Sequence, residues 1–315
     1  TVMQNNLLAI TLTNRISHKK EGGNTMSLRF ILGRAGSGKT TYCLDKIREK
    51  LHTSQEGNNL ILLVPEQATF QMEMELAKTP DLNGIIRAQV FSFNRLTWKI
   101  LQEVGGGSKV HLSDLGKTMV IRKFLEQRKE EFQVFRRASE LPGFAETMGA
   151  MISELKLYQI SLEEIKSFLQ EKRGEDSLLF DKLKDLTLIY EDLEKYLADT
   201  YIDTDDYLNL LAEKIHLSPM MKKAEIWIDE FTGFTPQELK VIEKIMVTAP
   251  EVNITLTLDP AEIDQEYGLF KTTANTYKRI LDIAHKTGTP IEKPLLLDNL
   301  FRFQDRTHLS YLERN

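Results

Sequence analysis

Gly33-Arg34-Ala35-Gly36-Ser37-Gly38-Lys39-Thr40 matches G-x-x-x-x-G-K-[ST] without a gap. The chemistry needs this spacing. Gly33, Gly36 and Gly38 let the backbone turn tightly enough for successive N–H groups to face phosphate oxygens, and Arg34, Ala35 and Ser37 lend backbone to the same cradle. Lys39 is placed to reach the β- and γ-phosphates, and the Thr40 hydroxyl is placed to hold Mg²⁺. The apolar run LRFIL (28–32) precedes the loop, and a helically spaced segment from Thr40 to Leu51 follows it. That context predicts a buried strand, a phosphate loop, and a helix whose positive end points at the anion. ATP and Mg²⁺ are the expected cofactors.

Outward from the loop, strand and helix signals alternate. LILLV (60–64) reads as a second buried strand, Gln67 to Lys78 as a helix, Arg87 to Phe91 as a third strand, and Phe93 to Val104 as a helix before the break Gly105-Gly106-Gly107. Far downstream, AEIWID (224–229) is a strand, Pro236 to Val247 a helix, and NITLTL (253–258) another strand. This alternation predicts an α/β fold with a parallel sheet. Between the two parts, from about Leu112 to Ile215, strand signals vanish and leucines recur at helical spacing among Glu and Lys. We read this stretch as an all-helical insertion with solvated charged faces and assign it no chemistry.

The segment IWIDEF (226–231) is the second chemical motif. An apolar strand ending in two acids suits a Walker B element, with Asp229 on Mg²⁺ and Glu230 polarising an attacking water. Alone, it also reads as an ordinary strand with an acidic turn. Asp229 lies 190 residues beyond Lys39. A long helical insertion at that point resembles the superfamily 1 helicases of the UvrD type. YIDTDDYLNLLAEK (201–214) resembles the acidic-aromatic helix before their second acid. VFSFNRLTWKIL (90–101) resembles a motif that lies against single-stranded DNA, the alternative being a helix with buried aromatics.

Three longer strings narrow the resemblance: VPEQATFQMEMELAKTP (64–80), IIRAQVFSFNRLTWKILQEVGG (85–106) and IWIDEFTGFTPQE (226–238). They are similar to the N-terminal part of the AddB family, which pairs with AddA in the bacterial AddAB helicase–nuclease. The resemblance implies a RecA-like P-loop sheet (26–110 and 216–315) of the superfamily 1 domain 1A kind, carrying the insertion (111–215) as domain 1B. It implies a partner, the AddA motor, and both single- and double-stranded DNA as substrates. The expected role is double-strand-break processing for homologous recombination with a response to Chi. By position, the Chi-reading face falls on Gln67, Thr69, Arg95, Trp98 and Phe231. A nuclease domain and an iron–sulfur cluster are implied only beyond Asn315, and the lone Cys43 is read as packing. Two departures from a motor stand out. No adenine-reading glutamine motif fits ahead of the loop, and the third-motif position reads Leu258-Asp259-Pro260-Ala261-Glu262 without its glutamine. An active UvrD-type motor is the competing reading, favoured by Lys39, Thr40, Asp229 and Glu230.

Composition bounds these readings. With 41 basic and 46 acidic residues the net charge is −5. This disfavours a chain coated in positive potential and confines any DNA contact to a local groove. One cysteine excludes a disulfide framework and fits a reducing cytoplasm. No apolar run approaches the roughly 18–20 residues that span a bilayer, so no membrane association is expected. The stretch before Met26 reads as translated leader, since Lys-Glu-Gly-Gly back-translates to a ribosome-binding site. A disordered tail is the other reading of residues 1–25. The helical run from Thr307 to Asn315 has no cap, which suggests a longer protein.

Overall fold

In a computed structural model, residues 26–53, 57–79, 87–106, 110–171, 177–198, 200–265, 267–303 and 307–314 are described. The leader reading of 1–25 lies outside them.

Six strands form one parallel sheet: β1 (Ser27–Gly33), β2 (Asn59–Leu63), β3 (Ala88–Phe91), β6 (Ala224–Ile228), β7 (Glu251–Thr257) and β8 (Leu295–Leu296), in the order β3-β2-β6-β7-β1-β8. Helices cover both faces, which is why the strands read as near-continuous apolar runs rather than alternating ones. On one face Leu28, Phe30, Leu32, Ile61, Leu63, Ile226, Ile228, Ile254 and Leu256 form a core with α3 (Phe93–Val104), α8 (Tyr207–Lys214), α10 (Pro236–Met246) and α11 (Lys271–Thr287). On the other, Ile31, Leu60, Leu62 and Trp227 pack against α1 (Lys39–Thr53) and α2 (Thr69–Ala77). The arrangement is α/β and fits a RecA-like fold. No helix among the described residues is long and apolar enough to cross a membrane.

The central strand β7 breaks the apolar rule on one side only. Val252, Ile254 and Leu256 face the first core, while Asn253 and Thr255 are buried without belonging to either apolar cluster. A strand buried on both faces accepts hydroxyls only where they find partners.

The insertion carries α4 (Asp114–Arg128), α5 (Phe144–Leu157), α6 (Leu162–Glu171) and α7 (Leu178–Leu197) around a core of Ile121, Leu125, Met148, Ile152, Ile189 and Leu193. It is not wholly helical, as its sequence suggests. β4 (Val110–Leu112) and β5 (Tyr201–Asp203) pair in parallel at its base. Three-residue strands carry too little periodicity to show in sequence, and their pairing spans about ninety residues of chain. The acidic-aromatic segment 201–214 is accordingly strand, then a 3₁₀ turn (Thr204–Asp206), and only then helix α8.

A buried ionic cluster fixes this base. Asp203 lies between Lys117 and Lys156, at 3.3 and 3.4 Å. Lys156 also meets Asp206 and Glu194 at 2.8 Å each, and Lys117 meets Asp205. Burial pushes the Asp206 carboxyl up to about 6 against the pull of Lys156. Such a cluster adds little net stability but specifies one geometry, because any misaligned member leaves a charge buried and unpaired.

Candidate functional site

The phosphate loop follows β1 at the carboxyl edge of the sheet, where ligands of open parallel sheets bind. Asp229 follows β6 at the same edge, and its N–H donates to the Leu63 carbonyl of β2 (3.0 Å). Gly36 and Gly38 take φ of +76° and +87°, which L side chains resist. Gly33 is required by crowding instead: a Cβ there would stand 2.5 Å from both the Leu297 carbonyl and Ser37 Oγ.

Ala35, Gly36, Gly38, Lys39 and Thr40 line a cleft of about 500 Å³ together with Asp229, Glu230 and Phe231. The fold therefore brings together the two motifs that lie 190 residues apart in sequence. Lys39 Nζ donates to the Gly33 and Arg34 carbonyls at 2.8 and 2.9 Å. Burial pushes its ammonium down to about 8, opposed by the charges of Asp229 and Glu313. The Glu230 carboxyl is pushed up, first by burial and then by Asp229. Glu230 also holds φ +66°, a left-handed backbone in a non-glycine residue; strain of this kind costs on the order of 1–3 kcal/mol and concentrates at working sites.

Asp229 is 2% exposed. Its Oδ1 accepts the Thr255 hydroxyl, and its Oδ2 is buried without a hydrogen-bond partner among the described residues. An orphaned carboxylate oxygen beside a cleft is costly unless something cationic completes it. With the Thr40 hydroxyl lining the same cleft, this donor set fits a hard divalent cation such as Mg²⁺, which binds through one or two protein oxygens plus phosphate. The backbone cradle and Lys39 fit a polyphosphate. An iron–sulfur cluster has no such fit: the chain's single cysteine, Cys43, is fully buried in apolar packing on α1.

The side chains of Arg34 and Ser37 do not face the cleft. Ser37 Oγ is buried against Gly33. Arg34 reaches the turn after β7, pairing with Asp259 (3.0 Å) and Glu262 (2.9 Å), and lies over the Phe270 ring. The segment that lacks a third-motif glutamine is thus tied directly to the phosphate loop by an arginine.

The cleft also has walls that the sequence reading missed. Thr255 and Thr257 come from β7. Phe301 and Arg302 come from the segment before α12 (Thr307–Arg314), whose Glu313 accepts the Ala35 N–H at 3.1 Å. The threonines had a signal, hydroxyls at every second position of NITLTL. Arg302 had none, since only the return of the chain past β1 brings its charge to face Lys39 and Glu230.

The residues expected on a DNA face lie along the same sheet edge. Gln67 and Arg95 are exposed, and Trp98 is 49% exposed. Arg95 is held by Glu73 (2.8 Å) and Glu66 (3.6 Å). Thr69 lies inside, its hydroxyl donating to the Glu66 carbonyl at 2.8 Å. Phe231 is half-buried and packs on Phe93 at the start of α3 (ring centroids 5.6 Å apart) while lining the cleft.

A family model described as "ADDB, N-terminal" matches residues 30–313. This chain belongs to the AddB family. Among its relatives are proteins named as the B subunit of an ATP-dependent helicase/deoxyribonuclease. That of Desulforamulus reducens is 47% identical over 92% of this chain and 26% of the relative. That of Pelotomaculum thermopropionicum is 48% identical over 92% and 25%. One from Bacillus cereus is 43% identical over 92% and 25%. The chain spans about a quarter of the length of these curated AddB relatives.

Proposed function

We propose that this AddB chain supplies the ATP-binding, DNA-recognition part of an ATP-dependent helicase/deoxyribonuclease, in a protein that works with an AddA motor and processes double-strand breaks for recombination in response to Chi. The observation that carries the reading is the convergence of the glycine cradle, Lys39, the half-satisfied Asp229 and Glu230 in one cleft, with Phe231 linking that cleft to the buried Phe93 at the start of α3. The first four features suit Mg²⁺–ATP, and the link suits a protein whose nucleotide state and DNA contact inform each other. When bound, Mg²⁺ neutralises phosphate charge; Thr40 and the free Oδ2 of Asp229 would hold it. Lys39 and Arg302 place two cations at the phosphate end, and the Phe301 ring against Gly38 offers an apolar wall. The domain is of the superfamily 1 type, and nuclease chemistry belongs elsewhere in the full-length protein.

Thr255 tests the metal half of this reading. Its hydroxyl ties up Oδ1 and leaves Oδ2 for the cation. Thr255→Val keeps shape and removes one hydrogen bond to a charged group, worth about 1.5–3 kcal/mol. ATP affinity measured with Mg²⁺ should fall roughly tenfold on that basis, affinity in EDTA should stay level, and Thr255→Ser should restore the first value. Equal losses with and without Mg²⁺ would remove Thr255 from the metal site.

Arg95 tests the DNA half. Arg95→Ala should lower Chi response in the purified complex while general DNA binding survives, because one base- or phosphate-directed guanidinium is lost from a many-contact interface. An unchanged Chi response takes Arg95 off the recognition face.

The intact Lys39, Thr40, Asp229 and Glu230 also favour the competing reading, a motor of the UvrD type. Arg34, locked to Asp259 and Glu262 where a motor's glutamine would stand, argues against it.

A further inference from the structure

The α3 surface does not end at Trp98. The helix exposes Asn94, Arg95, Trp98, Lys99, Gln102 and Glu103 along one stripe, a mixture of amides, cations, a ring and one acid. One side of the Trp98 ring packs on Tyr207, with centroids 5.2 Å apart and planes tilted by 44°. Tyr207, at the start of α8, is buried. His111 of β4 also packs on Tyr207, with ring centroids 5.7 Å apart and planes 33° from parallel. The Tyr207 hydroxyl and His111 Nδ1 are hydrogen-bonded at 3.1 Å, which fixes the imidazole plane. His111 is exposed. Two exposed rings thus contact one buried ring, Trp98 from the α/β core and His111 from the base of the insertion.

We propose that Trp98 and His111 form a two-ring platform on which successive bases of single-stranded DNA stack, carrying the polynucleotide track from the core onto the insertion. The inference rests on the reading of α3 as a DNA face and extends that face to a residue outside it. Bases offer their faces only when unpaired, and aromatic rings, histidine included, take them without regard to sequence. Lys99 stands beside Trp98 with the charge that a phosphate backbone needs, while Arg95 one turn earlier is ion-paired with Glu73.

Rigidity supports the assignment. His111 pairs with Ile202 in the β4–β5 ribbon. That ribbon is pinned by the Asp203–Lys117–Lys156 cluster. Tyr207 is buried beneath both rings. Rings held this way lose little freedom on binding, so stacking is retained as affinity.

The test uses the full-length chain and two fluorescein-labelled single strands of equal length, oligo-dT and its abasic counterpart. His111→Ala should weaken oligo-dT binding about fivefold or more, the effect of losing one stacked base, and leave the abasic strand unchanged. His111→Phe, which keeps a ring without the hydrogen bond, should bind oligo-dT as wild type does. His111→Gln, which keeps a hydrogen-bonding group without a ring, should be as weak as His111→Ala. The reverse order, Gln normal and Phe weak, would reduce His111 to a support for Tyr207 and overturn the platform, as would equal losses on both strands. If Trp98→Ala weakens oligo-dT binding and His111→Ala does not, the platform is wrong while the DNA face stands. If neither substitution matters, the DNA face itself falls.

Discussion

Lys39→Ala is expected to weaken Mg²⁺–ATP binding by the full-length chain about a hundredfold, read by calorimetry or a fluorescent nucleotide. The lysine is the one cationic side chain contributed by the loop itself to the cleft, and charge-assisted bonds to phosphate contribute about 1.5–3 kcal/mol. In the free chain its ammonium folds back onto the Gly33 and Arg34 carbonyls. ATP binding would exchange those contacts for phosphate oxygens. The same residue sets a pH dependence. Its pKa in the free chain is pushed down to about 8 by burial, and phosphate charge raises it again in the complex. The complex therefore holds more protons than the free chain above pH 8. Affinity should be level below pH 8 and fall by up to tenfold per pH unit above it, and Lys39→Ala should abolish that slope. Binding by the variant within threefold of wild type would end the proposal that this loop holds ATP. The same variant separates the two functional readings. Unwinding retained with an altered Chi response fits a recognition role, and complete loss of unwinding fits a motor.

Asp185→Ala should be the most damaging substitution in the insertion. The carboxylate is buried in α7 and accepts three successive backbone N–H groups, from Gln133 (2.9 Å), Val134 (2.8 Å) and Phe135 (2.9 Å). These hydrogen bonds close the turn that follows α4 and carries Phe135 into the insertion core. Alanine leaves the turn's N–H groups without an acceptor and opens a void. From hydrogen bonds to a charged group the loss is about 3–5 kcal/mol. A long multidomain chain does not unfold in one step, so a single melting temperature is the wrong readout. Amide hydrogen exchange resolves the insertion separately. Protection in α4, α5 and α7 should drop by two orders of magnitude or more, with β1, β6 and β7 unaffected. Unchanged protection in α4 would show that the turn is held by packing alone.

The two predictions divide as the molecule does. GRAGSGKT and the residues on either side determined by themselves a strand, a tight glycine loop and a helix, because that geometry depends on contiguous residues: glycines where φ is positive and a lysine one position on. IWIDEF announced a strand tip with two acids for the same reason. Family membership was also legible, since long strings such as VPEQATFQMEMELAKTP carry many independent choices. The alternation of apolar segments fixed the parallel sheet, because strands buried on both faces have nowhere to place polar residues.

Contacts between distant segments were decided only by the tertiary structure. The β4–β5 ribbon joins residues ninety apart with three residues a side, too few to leave a period. Thr255 became the partner of Asp229 only when β6 and β7 paired. Arg302 entered the phosphate cleft because the chain returns past β1, and Arg34 turned away from it because Asp259 and Glu262 lay within reach. His111 and Trp98 are unrelated in sequence, and only their shared contact with Tyr207 brings them together. A local motif is specified by the dihedral and hydrogen-bonding preferences of its own residues. A composite site is specified by burial, which brings together whichever polar groups the apolar layers leave at their edges.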